Sequence, residues 1–112
     1  SAEQGYAFAQ VLLGAMYSHG QGVPQDYKEA VRLYRLSAEQ GEASAQYNLG
    51  VMYSEGKGVA QDYVLAHMWF SLSSSQGITN AVTNRKILEK EMSKQQIEKA
   101  QEMARNWKPT KK

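Results

Sequence analysis

The chain repeats itself with a period of 36 residues, and this repetition constrains the fold more than any other feature. Residues 1–36 match residues 37–72 at 21 of 36 positions, and both copies open with the letters SAEQG. A period in this range is typical of stacked supersecondary units, none of which can bury its apolar face alone. The sequence therefore predicts a repeat architecture, which presents extended surfaces more readily than catalytic clefts.

Each copy has the spacing of two helices. In the first half of the second copy, Ala45, Leu49 and Met52 fall three or four positions apart, which is helical spacing. The second half of each copy keeps the same period, and the loops HGQGVPQD and SEGKGVAQD separate the two halves. The pattern predicts antiparallel helix pairs.

The loops contain signals for helix ends. Gly20 and Gly56 are placed as C-caps, where a residue without Cβ adopts a positive φ at little cost. Asp26 and Asp62 suit the N-cap of each second helix. In the first copy, Glu29 stands three residues after Asp26, so we expect an acidic analogue of the capping box there.

Two glycines inside the predicted first helices indicate close helix packing. Gly14 and Gly50 share one phase of the repeat, although glycine costs a helix about 1 kcal/mol relative to alanine. We expect the small residues Ala30 and Ala66 to face them. The tyrosines also share packing phases, and we expect them in the core; they are Tyr6, Tyr17, Tyr27, Tyr34, Tyr53 and Tyr63.

The repeat decays after Gly77. Ser93 and Gln96 form a capping-box signal, and a stripe at helical spacing follows it, made of Ile97, Ala100, Ala104 and Trp107. Repeat arrays need atypical ends with a polar outer face, and residues 78–108 fit that role. The expected division is a preceding repeat's tail (1–5), two units (6–41 and 42–77), a degenerate unit with a cap (78–108) and a disordered tail (109–112).

Charge is unevenly distributed. Residues 1–84 carry four Lys/Arg against seven Asp/Glu, whereas residues 85–112 carry nine against four. We interpret the basic excess as a solvated helix face and tail, because aromatic residues do not interleave with it as nucleic-acid binding would require. No apolar run approaches the ~18 residues of a membrane span. The absence of cysteine excludes disulfides and thiolate chemistry.

The residues shared by the two copies resemble a known family. The pattern Ala-Gln-x-x-Leu-Gly-x-Met-Tyr-x-x-Gly-x-Gly-Val-x-x-Asp-Tyr-x-x-Ala, read at residues 9–30 and 45–66, is similar to the Sel-one-like repeat (SLR) family, a relative of the tetratricopeptide repeats. The resemblance implies an all-α, right-handed α-solenoid with two full units and a degenerate C-terminal capping pair, about six helices in all. In the cap, Arg85 and Lys86 replace the leucine and glycine of the motif.

The resemblance also implies that the first helices line a concave groove, which would bind a partner peptide or protein through residues away from the packing stripe. The residues at those positions are Phe8, Val11, Leu12, Ala15, Ser44, Tyr47, Asn48, Val51, Asn84 and Arg85. In related tetratricopeptide domains, asparagines and basic residues hold peptide backbone or a terminal carboxylate, and Asn48, Asn84 and Arg85 could act similarly. The simpler interpretation, which we favour from the sequence, is that these three are ordinary solvated residues.

The expected function is a non-enzymatic adaptor or scaffold that binds a protein or peptide, without a cofactor or metal. Two lone histidines do not form a metal site, and we interpret His67, at a core position, as partly buried and satisfied. Two alternatives stay open: a β-lactam-binding or cell-wall-related activity, suggested by some family members, and weak binding of anionic surfaces through the basic C-terminal helices.

The compartment is left open between the bacterial cytoplasm and the periplasm or exterior. Ser1 looks like a cut end, so we expect the chain to be trimmed from a longer array or to be a mature form without its leader. An array that is open at residue 1 would expose apolar surface there, and this predicts possible end-to-end pairing of copies.

Overall fold

The computed structural model describes residues 2–110, with side chains described from Gly5 onward. This part of the chain forms six helices and no strand, which confirms the all-α prediction. The helices are α1 (Ala2–His19), α2 (Tyr27–Glu39), α3 (Ala43–Glu55), α4 (Tyr63–Ser75), α5 (Thr79–Glu89) and α6 (Lys94–Asn106). The helices α1 and α2 form one hairpin and α3 and α4 form the next, and α2 packs against α3 between them.

The loop signals produce the expected helix ends. Asp26 Oδ1 accepts a hydrogen bond from the Glu29 N–H at 3.1 Å, and Asp62 Oδ1 accepts one from the Leu65 N–H at 3.0 Å. Gly56 ends α3 at φ 70°, with its N–H donated to the Met52 carbonyl at 2.8 Å. The capping box expected at Glu29 is wrong, because the Glu29 carboxylate instead accepts from Arg32 Nε at 2.9 Å.

The helical glycines mark close contacts between the two helices of a hairpin. A Cβ built on Gly50 would lie 2.8 Å from Cδ1 and Cε1 of Phe70, and one on Gly14 would lie 2.8 Å from Cε1 of Tyr34. The expected alanines are not the nearest groups: aromatic ring atoms lie closest at both positions, and the Ala30 carbonyl oxygen lies 3.4 Å from a Cβ built on Gly14. A ring packed this close to the helix backbone leaves no room for a side chain at the glycine.

A glutamine pair recurs with the period of the repeat and was not predicted. Gln40 Nε2 donates to Gln10 Oε1 at 3.1 Å, and 36 residues later Gln76 Nε2 donates to Gln46 Oε1 at 2.9 Å. Gln46 is fully buried, and its own Nε2 donates to the Ala38 carbonyl at 3.3 Å. These bonds satisfy polar groups inside the stack, as burial requires.

The two C-terminal helices do not repeat the hairpin packing of the full units. Both α5 and α6 pack against α4, and they contact each other little. Trp107 lies edge-on to Trp69 of α4, with ring centroids 5.9 Å apart. The predicted capping box is confirmed, since the Ser93 N–H donates to Gln96 Oε1 at 2.8 Å and the Gln96 N–H to Ser93 Oγ at 3.1 Å. The cap thus covers the apolar helix α4 on two sides.

The end of the chain lies against the end of α2. The Thr110 N–H donates to the Glu39 carbonyl at 2.6 Å, so the disordered tail expected from residue 109 is wrong for Pro109 and Thr110. Lys111 and Lys112 lie outside the described residues.

The packing stripe of α1 is more exposed than that of α3. Tyr6 is 65% exposed, so its expected place in the core is wrong; Tyr34 is buried, and the other four tyrosines are half-buried against the core. The physical reason is that α1 packs on α2, whereas α3 packs on both α2 and α4. Residues 2–5, expected as a preceding repeat's tail, continue into α1 as one helix, and Ser1 lies outside the described part.

Candidate functional site

The candidate binding residues lie on the first helices of the units, α1, α3 and α5, and the structure leaves all but one of them accessible. Phe8 and Leu12 are 50% and 53% exposed. Val11 is buried in the core between the helices, so its expected place on the surface is wrong. The others are half-buried: Ala15, Ser44, Tyr47, Asn48, Val51, Asn84 and Arg85. We call the accessible set, without Val11, the first-helix surface.

Tyr47 and Asn84 join α3 to α5 across this surface. Asn84 Nδ2 donates to the Tyr47 hydroxyl at 3.1 Å. The Tyr47 ring packs on Phe70, with centroids 5.7 Å apart and planes tilted by 49°. Tyr47 is therefore held by packing below and by a hydrogen bond at its tip, so its orientation is fixed before any ligand arrives.

Arg85 is turned toward an acidic neighbour rather than standing free. Its Nε lies 3.9 Å from Glu89 Oε2, one turn along α5, and this nitrogen is buried without a hydrogen-bond partner. The same carboxylate oxygen lies 2.8 Å from Nε2 of His67. A partner's carboxylate would meet Arg85 beside an acid that already neutralises part of its charge.

His67 is 1% exposed, which corrects the expectation of a partly buried side chain. Its Nδ1 is buried without a partner. Its other ring nitrogen, Nε2, forms a hydrogen bond with Glu89 Oε2 at 2.8 Å, so Glu89 is the polar partner of the buried ring. Because the ring is buried, it cannot contact a substrate. Its role is structural: the contact between His67 and Glu89 joins α4 to α5.

Sequence reasoning did not find Glu89. The signal was available: His67 occupies the position of the apolar Val31 in the first copy, and a histidine on a buried stripe needs a polar partner. Which of the four acidic residues after position 84 supplies that partner depends on how α5 crosses α4.

The remaining described surfaces were compared with three other kinds of site: a metal site, a membrane span and a basic binding stripe. Among the side chains that the structure describes, those of residues 5–110, no three of the metal-binding types come together. No helix of that part is both long and apolar enough to cross a membrane. On α6, the exposed Lys99 and Arg105 alternate with the exposed Glu98 and Glu102, so the helix is not a continuous basic stripe.

Stacked helix pairs, a shared core and a capped end define the class: the protein is an α-solenoid of helical repeats. The Sel1 repeat family model matches residues 7–42 and 43–78. The chain belongs to the Sel1 repeat family, whose members are typically protein-interaction modules and generally non-catalytic scaffolds.

Solved structures share the fold. A protective antigen present in uropathogenic Escherichia coli strains, which displays an SLR fold, is 36% identical over 95% of this chain, with a TM-score of 0.87. A Sel1 repeat protein from Oxalobacter formigenes is 32% identical over 86% of this chain, with a TM-score of 0.74. The chain spans 23% and 43% of the lengths of these two proteins. No curated protein sequence matches it.

Proposed function

We propose that this chain is a non-enzymatic protein-interaction module that binds a segment of a partner protein along the first-helix surface. The observation that carries the proposal is the apolar pair Phe8 and Leu12, about half exposed on α1. The second unit has Ser44 and Asn48 at the same repeat positions. One end of the surface therefore favours apolar side chains and the rest favours hydrogen bonding to a peptide.

Rigidity supports this function. Tyr47 is held by Phe70 and Asn84, and a side chain that is already ordered loses little entropy when a partner binds. Aromatic residues placed in this way are common anchors of binding energy. Affinity would come from a few such anchors rather than from the whole area.

The enzymatic alternative draws no support from the contact between His67 and Glu89. The acid–base pair that the structure brings together, His67 and Glu89, has its imidazole sealed in the core. A general base must come within hydrogen-bond reach of the proton it removes. The proposal is accordingly a binding role for this chain.

Site-specific crosslinking tests the proposal. A photo-reactive amino acid replaces Asn48 on the first-helix surface or, as the matched control, the exposed Lys99 on α6, and each variant is irradiated in the cells that produce the protein. We expect position 48 to yield a discrete protein adduct that position 99 does not yield. Leu12→Asp should then abolish that adduct while leaving the thermal melt unchanged. Equal adducts at both positions, or an adduct insensitive to Leu12→Asp, would contradict the proposal.

A further inference from the structure

The residues that follow α6 return to the first unit of the stack. Trp107 ends α6 with an extended backbone, at φ −72° and ψ 141°, so the chain leaves the helix instead of continuing it. The Thr110 N–H then donates to the Glu39 carbonyl at the end of α2. We call residues 107–110 the strap, because they join the capping end of the stack to the first helix pair.

The strap and α6 connect two helices that make little direct contact. The helix α2 packs on α1 and α3, and α4 packs on α3, α5 and α6, but α2 and α4 barely touch each other. Met103 and Trp107, near the end of α6, pack against a core cluster that holds residues of both helices. In that cluster, Val31 belongs to α2 and Trp69 to α4. The C-terminal segment therefore holds the second helices of the two units together.

The first helices of the two units are joined differently. Here α1 and α3 contact each other directly, without the C-terminal segment. Units of a solenoid ordinarily contact only their neighbours, so the tilt between two units depends on the interface between them. The hydrogen bond from Thr110 to Glu39 adds a contact between the capping end and the first unit. Once that bond is broken, the first unit is free to tilt about the contact between α1 and α3.

The contacts that hold the strap are few. Lys108, Pro109 and Thr110 are exposed, and Trp107 is half-buried. The Trp107 ring lies edge-on to Trp69, and the single backbone hydrogen bond at Thr110 fixes the far end. Segments with few buried contacts open at a lower free energy than the core does. The strap can therefore leave α2 while the helices stay folded.

We propose that the strap is a conformational switch that fixes the tilt between the two units when it is closed and releases the first unit when it is open. The first-helix surface is shared by α1, α3 and α5, so a change of tilt alters the distance between its two ends. An open strap also uncovers Trp69 and the adjoining part of the core cluster. Both states exist without any ligand, so the switch does not depend on the proposed binding role.

Spin labels measure the closure of the strap and the tilt. The chain contains no cysteine, so two introduced cysteines are labelled at the chosen positions alone. Lys28→Cys on α2 with Lys108→Cys reports whether the strap is closed. Lys28→Cys with Lys86→Cys on α5 reports the tilt of the first unit against the cap. All three lysines are exposed, and we expect one narrow distance distribution for each pair.

A matched pair of variants isolates the hydrogen bond. Thr110→Pro removes the N–H that the Glu39 carbonyl accepts, whereas Thr110→Ala keeps it. We expect Thr110→Ala to leave both distance distributions unchanged. In Thr110→Pro, the open fraction of the strap should rise about two- to tenfold, the change that follows the loss of one hydrogen bond. Removal of residues 107–112 should broaden the tilt distribution further, because the contact between Trp107 and Trp69 is lost as well.

Hydrogen exchange tests the release of the first unit without labels. Amides of α2 should exchange about two- to tenfold faster in Thr110→Pro than in Thr110→Ala. Amides of α5 are the control and should exchange alike in the two variants, since the strap bonds to α2. Circular dichroism establishes the helical content of each variant. The Thr110 pair changes one exposed residue, so the comparison stands even where the shortened chain loses helical content.

The proposal fails on any of three results. The first is a broad distribution between labels at positions 28 and 108 in the parent chain, which would mean that the strap is not closed in solution. The second is equal behaviour of Thr110→Pro and Thr110→Ala in both distances and exchange. The third is a folded chain without residues 107–112 that keeps the narrow tilt distribution of the parent, which would mean that the packing of α3 alone fixes the tilt.

Discussion

Nε2 of His67 lies 2.8 Å from Oε2 of Glu89 and ties α4 to α5 where the repeat pattern ends. In the first unit the equivalent residue is Val31, which is 2% exposed and packs by apolar contact alone. The second unit therefore replaces part of its apolar packing with a polar contact to the cap. Such a contact specifies one position for α5, because a buried polar atom requires its partner.

The first prediction concerns this pair. Glu89→Ala should lower the free energy of unfolding by about 1–3 kcal/mol, because it leaves a buried nitrogen without its partner. His67→Val should lower the free energy of unfolding by less than Glu89→Ala does. The double variant His67→Val with Glu89→Ala should also lose less than Glu89→Ala alone, because replacing both polar partners by apolar groups can be nearly neutral. Urea unfolding measures each value. Glu91→Ala, at an exposed acid close by, is the control, and equal losses for Glu89→Ala and Glu91→Ala would contradict the prediction.

The second prediction concerns Gly50. Gly50→Ala should lower the free energy of unfolding by about 1–3 kcal/mol, because the new methyl would lie 2.8 Å from the Phe70 ring. Gly5→Ala is the control, since nothing lies within 4 Å of a Cβ at that helical position. Adding Phe70→Leu to Gly50→Ala should cost less than the sum of the two single changes, because the ring that clashes is gone. Additive losses would show that the clash is not the cause.

Much of the fold could be predicted from the repeat itself. Residues such as Asp62 and Gly56 act through contacts within a few positions of themselves, so their pattern in the sequence is enough to locate the helix ends. The place of α6 could not be predicted in the same way. It depends on which faces of α4 remain open once α3 and α5 are packed, and this is a property of the assembled stack.

The candidate site was predicted less completely for the same reason. Val11 and Leu12 are neighbours on one helix, yet one is buried and the other is 53% exposed. The boundary between packing face and surface depends on how closely α2 approaches, and the repeat pattern alone does not show it. The contact of Arg85 with Glu89 likewise follows from the crossing of α5 over α4, and it changes the charge that a ligand would meet.

The third prediction uses Tyr34. Burial raises the pKa of its phenol, and a hydrogen bond with Ser18 acts weakly in the opposite direction. The folded state therefore keeps the phenol proton to a higher pH than the unfolded state. The contribution of this protonated phenol to the free energy of unfolding is present below about pH 10 and is lost as the pH rises above it. The stability difference between the wild type and Tyr34→Phe should shrink between pH 8 and 11, as measured by urea unfolding. Tyr6→Phe, at a ring 65% exposed, is the control, and a difference for Tyr34→Phe that is independent of pH would contradict the prediction.

The fourth prediction compares two glycines at one repeat position. Gly22 and Gly58 have φ values of 78° and 75°. Alanine at either position should lower the free energy of unfolding by about 1–2 kcal/mol, because a residue with a Cβ is strained in this left-handed conformation. Only at Gly58 would the new Cβ also meet backbone, 2.5 Å from the Tyr27 carbonyl oxygen. In urea unfolding, Gly58→Ala should therefore lower the free energy of unfolding clearly more than Gly22→Ala does, because the loop and the start of α2 must separate.

Gly22→Ala is the internal control for backbone strain, and the additional loss at Gly58 measures the contact between the two units. Equal losses at the two positions would mean that the second loop does not press on the first unit, and the stacking of α2 on α3 would then have to rest on apolar contacts alone.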